Sequence, residues 1–233
     1  MTIEEQSEYY LLQVAMKKDD LKGKLMLDAG CGNGKITHWF AEAGAEVVGL
    51  DLSNSVERAS AHHGDTRTHF VQGSVLEPPL KRSIFDIVFS SGVLHHTPDT
   101  RRSFESIAGS VKQGGTLCIW VYRPTLEKRL IIDPLRSVVS RLPTPFQNLA
   151  VWGCYLIRVI GFEPIRRWLR RGPHRRPTRT ELLVPITDWL TPRYAYDHTP
   201  DEVAEWYRSL GFKGVKETTR IPNGFSMVGL ARD

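Results

Sequence analysis

Between Leu25 and Tyr122 the chain sets down five short apolar runs, most of them separated by helix-like stretches. The runs are Leu25 to Ala29, Val47 to Leu50, Phe70 to Gln72, Phe85 to Phe89 and Thr116 to Tyr122. Parallel strands need long crossovers, and helical crossovers cover both faces of the sheet they build. This alternation therefore predicts a parallel sheet between two helical layers. At 233 residues the chain can enclose a full core, and no run approaches the ~20 apolar residues that span a bilayer.

After Arg123 the pattern changes to basic, Pro-punctuated helical stretches that continue to about Pro185, as an insert between two sheet elements. "TPDEVAEWYRSLGF" then gives the clearest helix. Thr199 is its N-cap, Pro200 its first residue, Glu202 the partner in a capping box and Gly211 the stop. "KGVKETTRI", "PNG" and "FSMVGLARD" read as two strands about a tight reversal, which makes the last strand antiparallel. Near the start, "EYYLLQVAMKK" has helical spacing. Either Tyr9 or Tyr10 closes over a ligand there, or both pack on the sheet.

Charge is unevenly placed. From Arg123 to Arg179 there are thirteen Lys/Arg against three acids, and the remainder holds eighteen basic and twenty-three acidic residues, so +10 stands beside −5. The insert's arginines, Arg166, Arg167, Arg170, Arg171, Arg175, Arg176 and Arg179, surround Trp168. Such a segment suits a substrate cap with a solvated face, an anionic membrane surface or an RNA backbone. Cys31, Cys118 and Cys154 are widely spaced and show no metal-ligand pattern, so buried small hydrophobes in a reducing compartment are expected, with no metal. "MTIEEQSEYY" carries acids where a signal peptide carries a basic region, which points to the cytoplasm.

"LMLDAGCGNGKITHWF" runs from an apolar strand through Gly30, Gly32 and Gly34 into a helical pattern. Such a turn presents backbone N–H groups at the positive end of a helix and lets a ligand come close. A phosphate, a dinucleotide or another nucleoside compound would fit on that ground alone. Asp51 ends the second strand, where a carboxylate can accept both hydroxyls of a ribose. Asp28 lies two residues before Gly30; it would repel a pyrophosphate and suits a ligand with a cationic group. The third glycine also comes two residues after the second, whereas the dinucleotide fingerprint requires three.

Taken together, "LDAGCGNG", "GLDLS", "FDIVFSSGVLHHTPD" and "VKQGGTLCIWVY" resemble the class I S-adenosylmethionine-dependent methyltransferases, in order and spacing, over Leu21 to Tyr122. The resemblance implies an α/β, Rossmann-like, doubly wound seven-stranded sheet with an antiparallel last strand and a helical cap. It implies a cofactor-binding core over 1–122, a basic insert or cap over 123–187, and a substrate loop with the end of the sheet over 188–233. It also implies that Asp28, Ala29, Gly30, Cys31, Gly32, Asn33 and Gly34 wrap the methionine part of S-adenosylmethionine. Asp51, with Leu52, would hold the ribose side, Ser74 and Val75 the adenine, and Ser90, Ser91 and Gly92, up to Val93, would face the methionine ammonium and the methyl group. Ser74 departs from the acidic residue that similar enzymes often place there.

Methyl transfer needs orientation, a dry pocket and sometimes a base. His95 and His96 follow the fourth strand, where ligands sit in such sheets, and either could take a proton; the alternative has one packing under the cofactor and the other capping the next helix beside Thr97 and Pro98. Asp188, Arg193, Tyr194, Tyr196 and His198, with Asp197, crowd a loop expected to line the acceptor pocket. The expected activity is O- or C-methylation of a small-molecule or lipid-like acceptor, with contact at an anionic membrane surface as a further expectation. The alternatives are a non-catalytic cofactor-binding protein that docks through its insert, and an RNA methyltransferase. The absence of an N-P-P-Y type motif after the fourth strand argues against nucleic acid.

Overall fold

Successive residues of a strand point to opposite faces, and the central strands use both for apolar packing. Met26, Val47, Ile87, Phe89 and Cys118 join Val14 and Phe40 in one layer. Leu27, Leu50, Val88, Leu117 and Ile119 join Phe104, Ile107, Val203 and Tyr207 in the other. The computed structural model describes residues 3–162 and 178–232. The chain divides into two units, Met1–Pro124 with Tyr196–Asp233, and Thr125–Ala195.

The first unit begins with α1 (Ile3–Val14), β1 (Leu25–Ala29), α2 (Lys35–Glu42), β2 (Glu46–Asp51), α3 (Ser55–His63) and β3 (Thr68–Gln72). It continues through β4 (Phe85–Ser91), α4 (Thr100–Ala108) and β5 (Val111–Tyr122). After the insert come α8 (Pro200–Ser209), β6 (Lys213–Ile221) and β7 (Gly224–Leu230), in a seven-stranded sheet of order β3-β2-β1-β4-β5-β7-β6. β7 runs antiparallel to β5 and β6, while β1 to β5 pair in parallel, which is the expected topology. The order reverses beside β1, so the carboxyl ends of β1 and β4 open onto the crevice that such folds use for ligands.

Helix α8 forms as its cap predicts: Thr199 Oγ1 accepts from the Glu202 N–H at 3.2 Å, and Glu202 accepts from the Thr199 N–H at 3.3 Å. Its buried face presses Tyr207 into the sheet, where the hydroxyl donates to the carbonyls of Met227 and Leu117 at 2.8 and 3.2 Å. Gly211 ends the turn at φ +84°.

The inserted unit holds α5 (Asp133–Val139), α6 (Thr144–Ile157) and α7 (Arg179–Leu190). Its small core comprises Val139, Val151, Ile186 and Leu190. Here the structure corrects an expected boundary, because α7 continues through Pro185 to Leu190. A Thr178–Glu181 capping box starts the helix, and Leu182, Ile186 and Leu190 bury one face at four-residue spacing, which outweighs the N–H that proline lacks. Arg166, Arg167, Trp168, Arg170, Arg171, Arg175 and Arg176 lie outside the described residues.

Candidate functional site

The three glycines of the first turn serve different needs. Added to Gly30, a Cβ would collide with the Val93 side chain; at Gly34 it would meet Ala59 and Phe70; at Gly32 nothing lies within 4 Å. Gly30 and Gly34 therefore permit packing, and Gly32, at φ +52°, leaves the turn open to a ligand. The N–H groups of Gly30 and Cys31 both donate to the Leu50 carbonyl, at 2.6 and 3.0 Å, which ties the turn to β2. Asn33 accepts from the Lys35 N–H at the start of α2.

Asp51 holds the turn from the other side. Its Oδ2 accepts from the Gly32 N–H at 2.8 Å, and its Oδ1 accepts from the Ser53 N–H and hydroxyl at 2.9 and 2.6 Å. A carboxylate has about four lone-pair sites, so capacity remains for ribose hydroxyls. Next to it Leu52 is 71% exposed, a bare apolar side chain suited to one face of a base. On the adenine side of the expected site, Ser74 Oγ accepts from the Leu76 N–H at 3.1 Å and Val75 is buried. Ser106 of α4 donates to the Leu76 carbonyl at 2.6 Å and holds that loop against the helix.

Asp28 is fully enclosed and accepts from the Thr37 hydroxyl at 2.7 Å. Burial lifts its carboxyl from 3.8 to about 6, the Thr37 bond works against this, and the charge of Asp51 adds to it. Burial, Asp28 and Tyr9 likewise push up the hydroxyl of Tyr10, which places α1 beside this corner of the site. A cationic group entering here would relieve the buried carboxylate.

At the exit of β4, Ser90 is wholly buried and donates through Oγ to the Ala29 carbonyl at 2.7 Å, so it offers a ligand only its backbone. Ser91 is half-buried. Gly92, at φ +78°, again has nothing near a Cβ, a second open stretch of main chain, just past the carboxyl end of β4. His95 is enclosed by aromatic rings, with centroids 4.0 Å from Tyr122, 4.3 Å from His96 and 5.8 Å from Trp120. His96 is half-buried. The cap of α4 is Asp99, which accepts from the Arg102 N–H at 2.9 Å, so neither histidine serves as the cap.

Tyr196 and His198 are brought to this end of the sheet: their N–H groups donate to the carbonyls of His95 and Tyr122 at 3.0 and 2.9 Å. The Tyr196 side chain is exposed, whereas the His198 ring lies 3.0 Å from Glu202 and packs on Trp206. Asp188, expected in a loop, lies inside α7, and Arg193 stands 5.7 Å from the Tyr194 ring. Those three belong to the inserted unit.

Sequence reasoning passed over Thr37, Ser53, Trp120 and Tyr122. A hydroxyl on the Phe40–Ala41 face of α2 was the available sign for Thr37, and the "DLS" spacing the sign for Ser53. The rings around His95 come from β5 and carry no local signal. The open glycines, the ribose-height carboxylate and the buried acid together fit a nucleoside with a cationic arm.

A family model described as a methyltransferase domain matches residues 27–119. The ubiquinone biosynthesis O-methyltransferase of Vibrio vulnificus (strain YJ016) is 34% identical over 184 residues, which cover 75% of this chain and 67% of that protein. The protein of the same name from Bordetella avium (strain 197N) is 30% identical over 158 residues, 66% of this chain and 55% of that one. The chain thus spans little more than half the length of several curated relatives it matches. A magnesium protoporphyrin IX methyltransferase from Synechocystis PCC 6803 with bound SAH superposes with a TM-score of 0.57 at 19% identity, over 98% of this chain and 83% of that one. An S-adenosylmethionine dependent methyltransferase from Mesorhizobium loti gives 0.59 at 20%, over 96% and 97%. At such identities these two establish a shared fold.

Proposed function

The chain belongs to the class I S-adenosylmethionine-dependent methyltransferases, and from that membership we propose that it methylates a hydroxyl or activated carbon of a small, lipid-like acceptor. We place the acceptor among aromatic compounds such as phenols and quinols, presented at an anionic membrane surface; the names of the curated relatives support oxygen as the atom methylated. One observation carries the reading. The open Gly32 and Gly92, the Asp51 carboxylate and the paired imidazoles of His95 and His96 all stand at the carboxyl edge of β1, β2 and β4.

When bound, S-adenosylmethionine supplies a methyl group activated by its sulfonium. Asp51 would accept from the ribose hydroxyls while keeping the glycine turn in shape through Gly32. Asp28 would balance the charge of the amino-acid arm, with Thr37 fixing the orientation of its carboxylate. Leu52 would cover one face of the adenine, and Ser74 with Val75 would meet its edge. The backbone from Ser90 to Val93 would line the path of the methyl group. His96, the more accessible imidazole, would take the acceptor's proton; His95, packed against Tyr122 and Trp120, would fix its position. Tyr196 would line the acceptor side, with Asp188, Arg193, Tyr194 and His198 as further acceptor-binding residues.

Calorimetric titration with S-adenosylmethionine, S-adenosylhomocysteine and NAD tests the first half of the proposal. Binding of both sulfur compounds without NAD is expected, and failure of both would overturn it. For the second half, turnover with phenols and quinols should release S-adenosylhomocysteine. His96→Ala should lower kcat by roughly 100-fold or more with cofactor affinity retained; an unchanged kcat removes His96 from the role of base.

A further inference from the structure

A helix that is apolar all round is normally enclosed, yet α6 is not. One face of α6 supplies Val151 to the insert's core, while Phe146, Leu149, Leu156, Ile157 and Ile160 are 57, 69, 51, 63 and 72% exposed. At 100° per residue Phe146, Leu149, Leu156 and Ile157 fall within a single arc of roughly 100° on α6, and Ile160 follows just beyond its end. The preceding helical segment repeats the pattern, with Leu130 and Val138 64 and 60% exposed. Solvent contact on this scale signals a missing partner.

Charge identifies the partner. Among the described residues, Arg129 stands exposed on the helical segment before α5 and Arg141 in the turn between α5 and α6, and Arg179 lies over the Trp152 ring at 4.4 Å. Of the two described acids between Arg123 and α7, Asp133 is paired with Arg136 at 2.8 Å and Glu127 is an exposed carboxylate. Two copies joined through this face would each bring the described stretch from Arg123 to Phe162, with six Lys/Arg against two acids, an arrangement that repels itself. An anionic surface with an apolar interior satisfies both the stripe and the arginines. The 14 residues of α6 extend roughly 21 Å, short of the ~30 Å hydrocarbon core, and among the described residues no helix is long and apolar enough to cross a membrane.

We propose that the outward faces of α5 and α6 lie in the headgroup layer of an anionic bilayer, apolar stripe down, with Arg129 and Arg141 at the phosphates. The inference rests on the reading of a lipid-like acceptor, but docking itself requires no turnover.

The test uses the full chain and vesicles of phosphatidylcholine alone or mixed with phosphatidylglycerol, read by co-sedimentation over a salt series. Binding to the mixed vesicles is expected, weakening as salt rises. The double variant Leu149→Glu/Ile157→Glu changes two exposed side chains and should bind at least about tenfold more weakly, whereas Leu12→Glu, at an exposed position of α1, should bind as the parent does. No association of the parent with anionic vesicles overturns the proposal. So does equal binding by the double variant, or a dimeric parent that the double variant turns into a monomer without any change in vesicle binding. Cofactor titration of the same samples keeps the readings apart: lost cofactor binding with intact docking would count against methyl transfer alone.

Discussion

Phe40, Phe85, Phe89, Phe104 and Phe225 are wholly enclosed in the sheet unit, whereas Phe146, Leu149, Leu156, Ile157 and Ile160 of the insert each show more than half their surface. Of nineteen large apolar side chains exposed among the described residues, thirteen lie between Leu126 and Val184. The sheet unit closes its two apolar layers upon itself, while the insert has a core cluster of four buried residues and leaves many of its large apolar side chains exposed. Apolar content alone therefore says little about stability. What matters is whether the surface leaves water within the chain or waits for a partner to remove it.

The largest test of this contrast is a pair of truncations. Phe104→Ala should cost about 3–5 kcal/mol, since Trp206 and Tyr207 cannot close the gap. Leu149→Ala should stay within about 0.5 kcal/mol. Denaturant midpoints at constant m-value decide it, and equal losses would mean that the α6 stripe is covered by the chain itself.

A second test concerns the site within the sheet unit. The folded pKa of Asp28 is raised from 3.8 to about 6, so the folded state binds the extra proton between those values. Its contribution to stability is then greatest on the acid side and is lost as pH rises through about 6. Asp28→Asn keeps an acceptor for Thr37 and should stabilise the ligand-free protein at neutral pH by about 2–3 kcal/mol. The same change should weaken S-adenosylmethionine binding, and in the parent that affinity should increase from pH 5 to 7, by calorimetry. A variant with unchanged melting temperature would show that the carboxyl is not strained.

Smaller effects separate the glycines and then the caps. Gly34→Ala should lower the melting temperature because of Ala59 and Phe70. Gly32→Ala, with only its positive φ to resist it, should cost about 1 kcal/mol in stability and show itself chiefly as lost cofactor affinity. Thr199→Ala should cost about 1 kcal/mol of global stability. Thr178→Ala, the matching cap in the insert, should cost a similar amount, visible in hydrogen exchange of α7 and not of the sheet.

The sheet was legible because its signals are local: short apolar runs, a capped helix at Thr199, a tight reversal at Pro222 and Asn223. Gly30 to Gly34, Asp51 and Asp28 could be read as a candidate ligand turn for the same reason. What remained hidden arises where distant segments meet. Thr37 on Asp28, Val93 over Gly30, and Tyr122 and Trp120 around His95 depend on the register of β1, β4 and β5, which spacing does not encode. The end of α7 was misjudged because a single proline costs less than three buried side chains return. The Asp188 to His198 stretch is divided between two units after Ala195, a boundary that residue types and spacing do not mark.

The bond from the His198 N–H to the Tyr122 carbonyl shows that the chain returns to the sheet beside the point where it left. A segment whose two ends lie side by side behaves as an interchangeable part. Selection, or an engineer, could lengthen, shorten or replace everything from Thr125 to Ala195 while the cofactor's binding residues keep their register. On the proposed reading, in which insert residues contribute to the acceptor side, the choice of acceptor and the handling of the cofactor are thereby free to evolve at different rates.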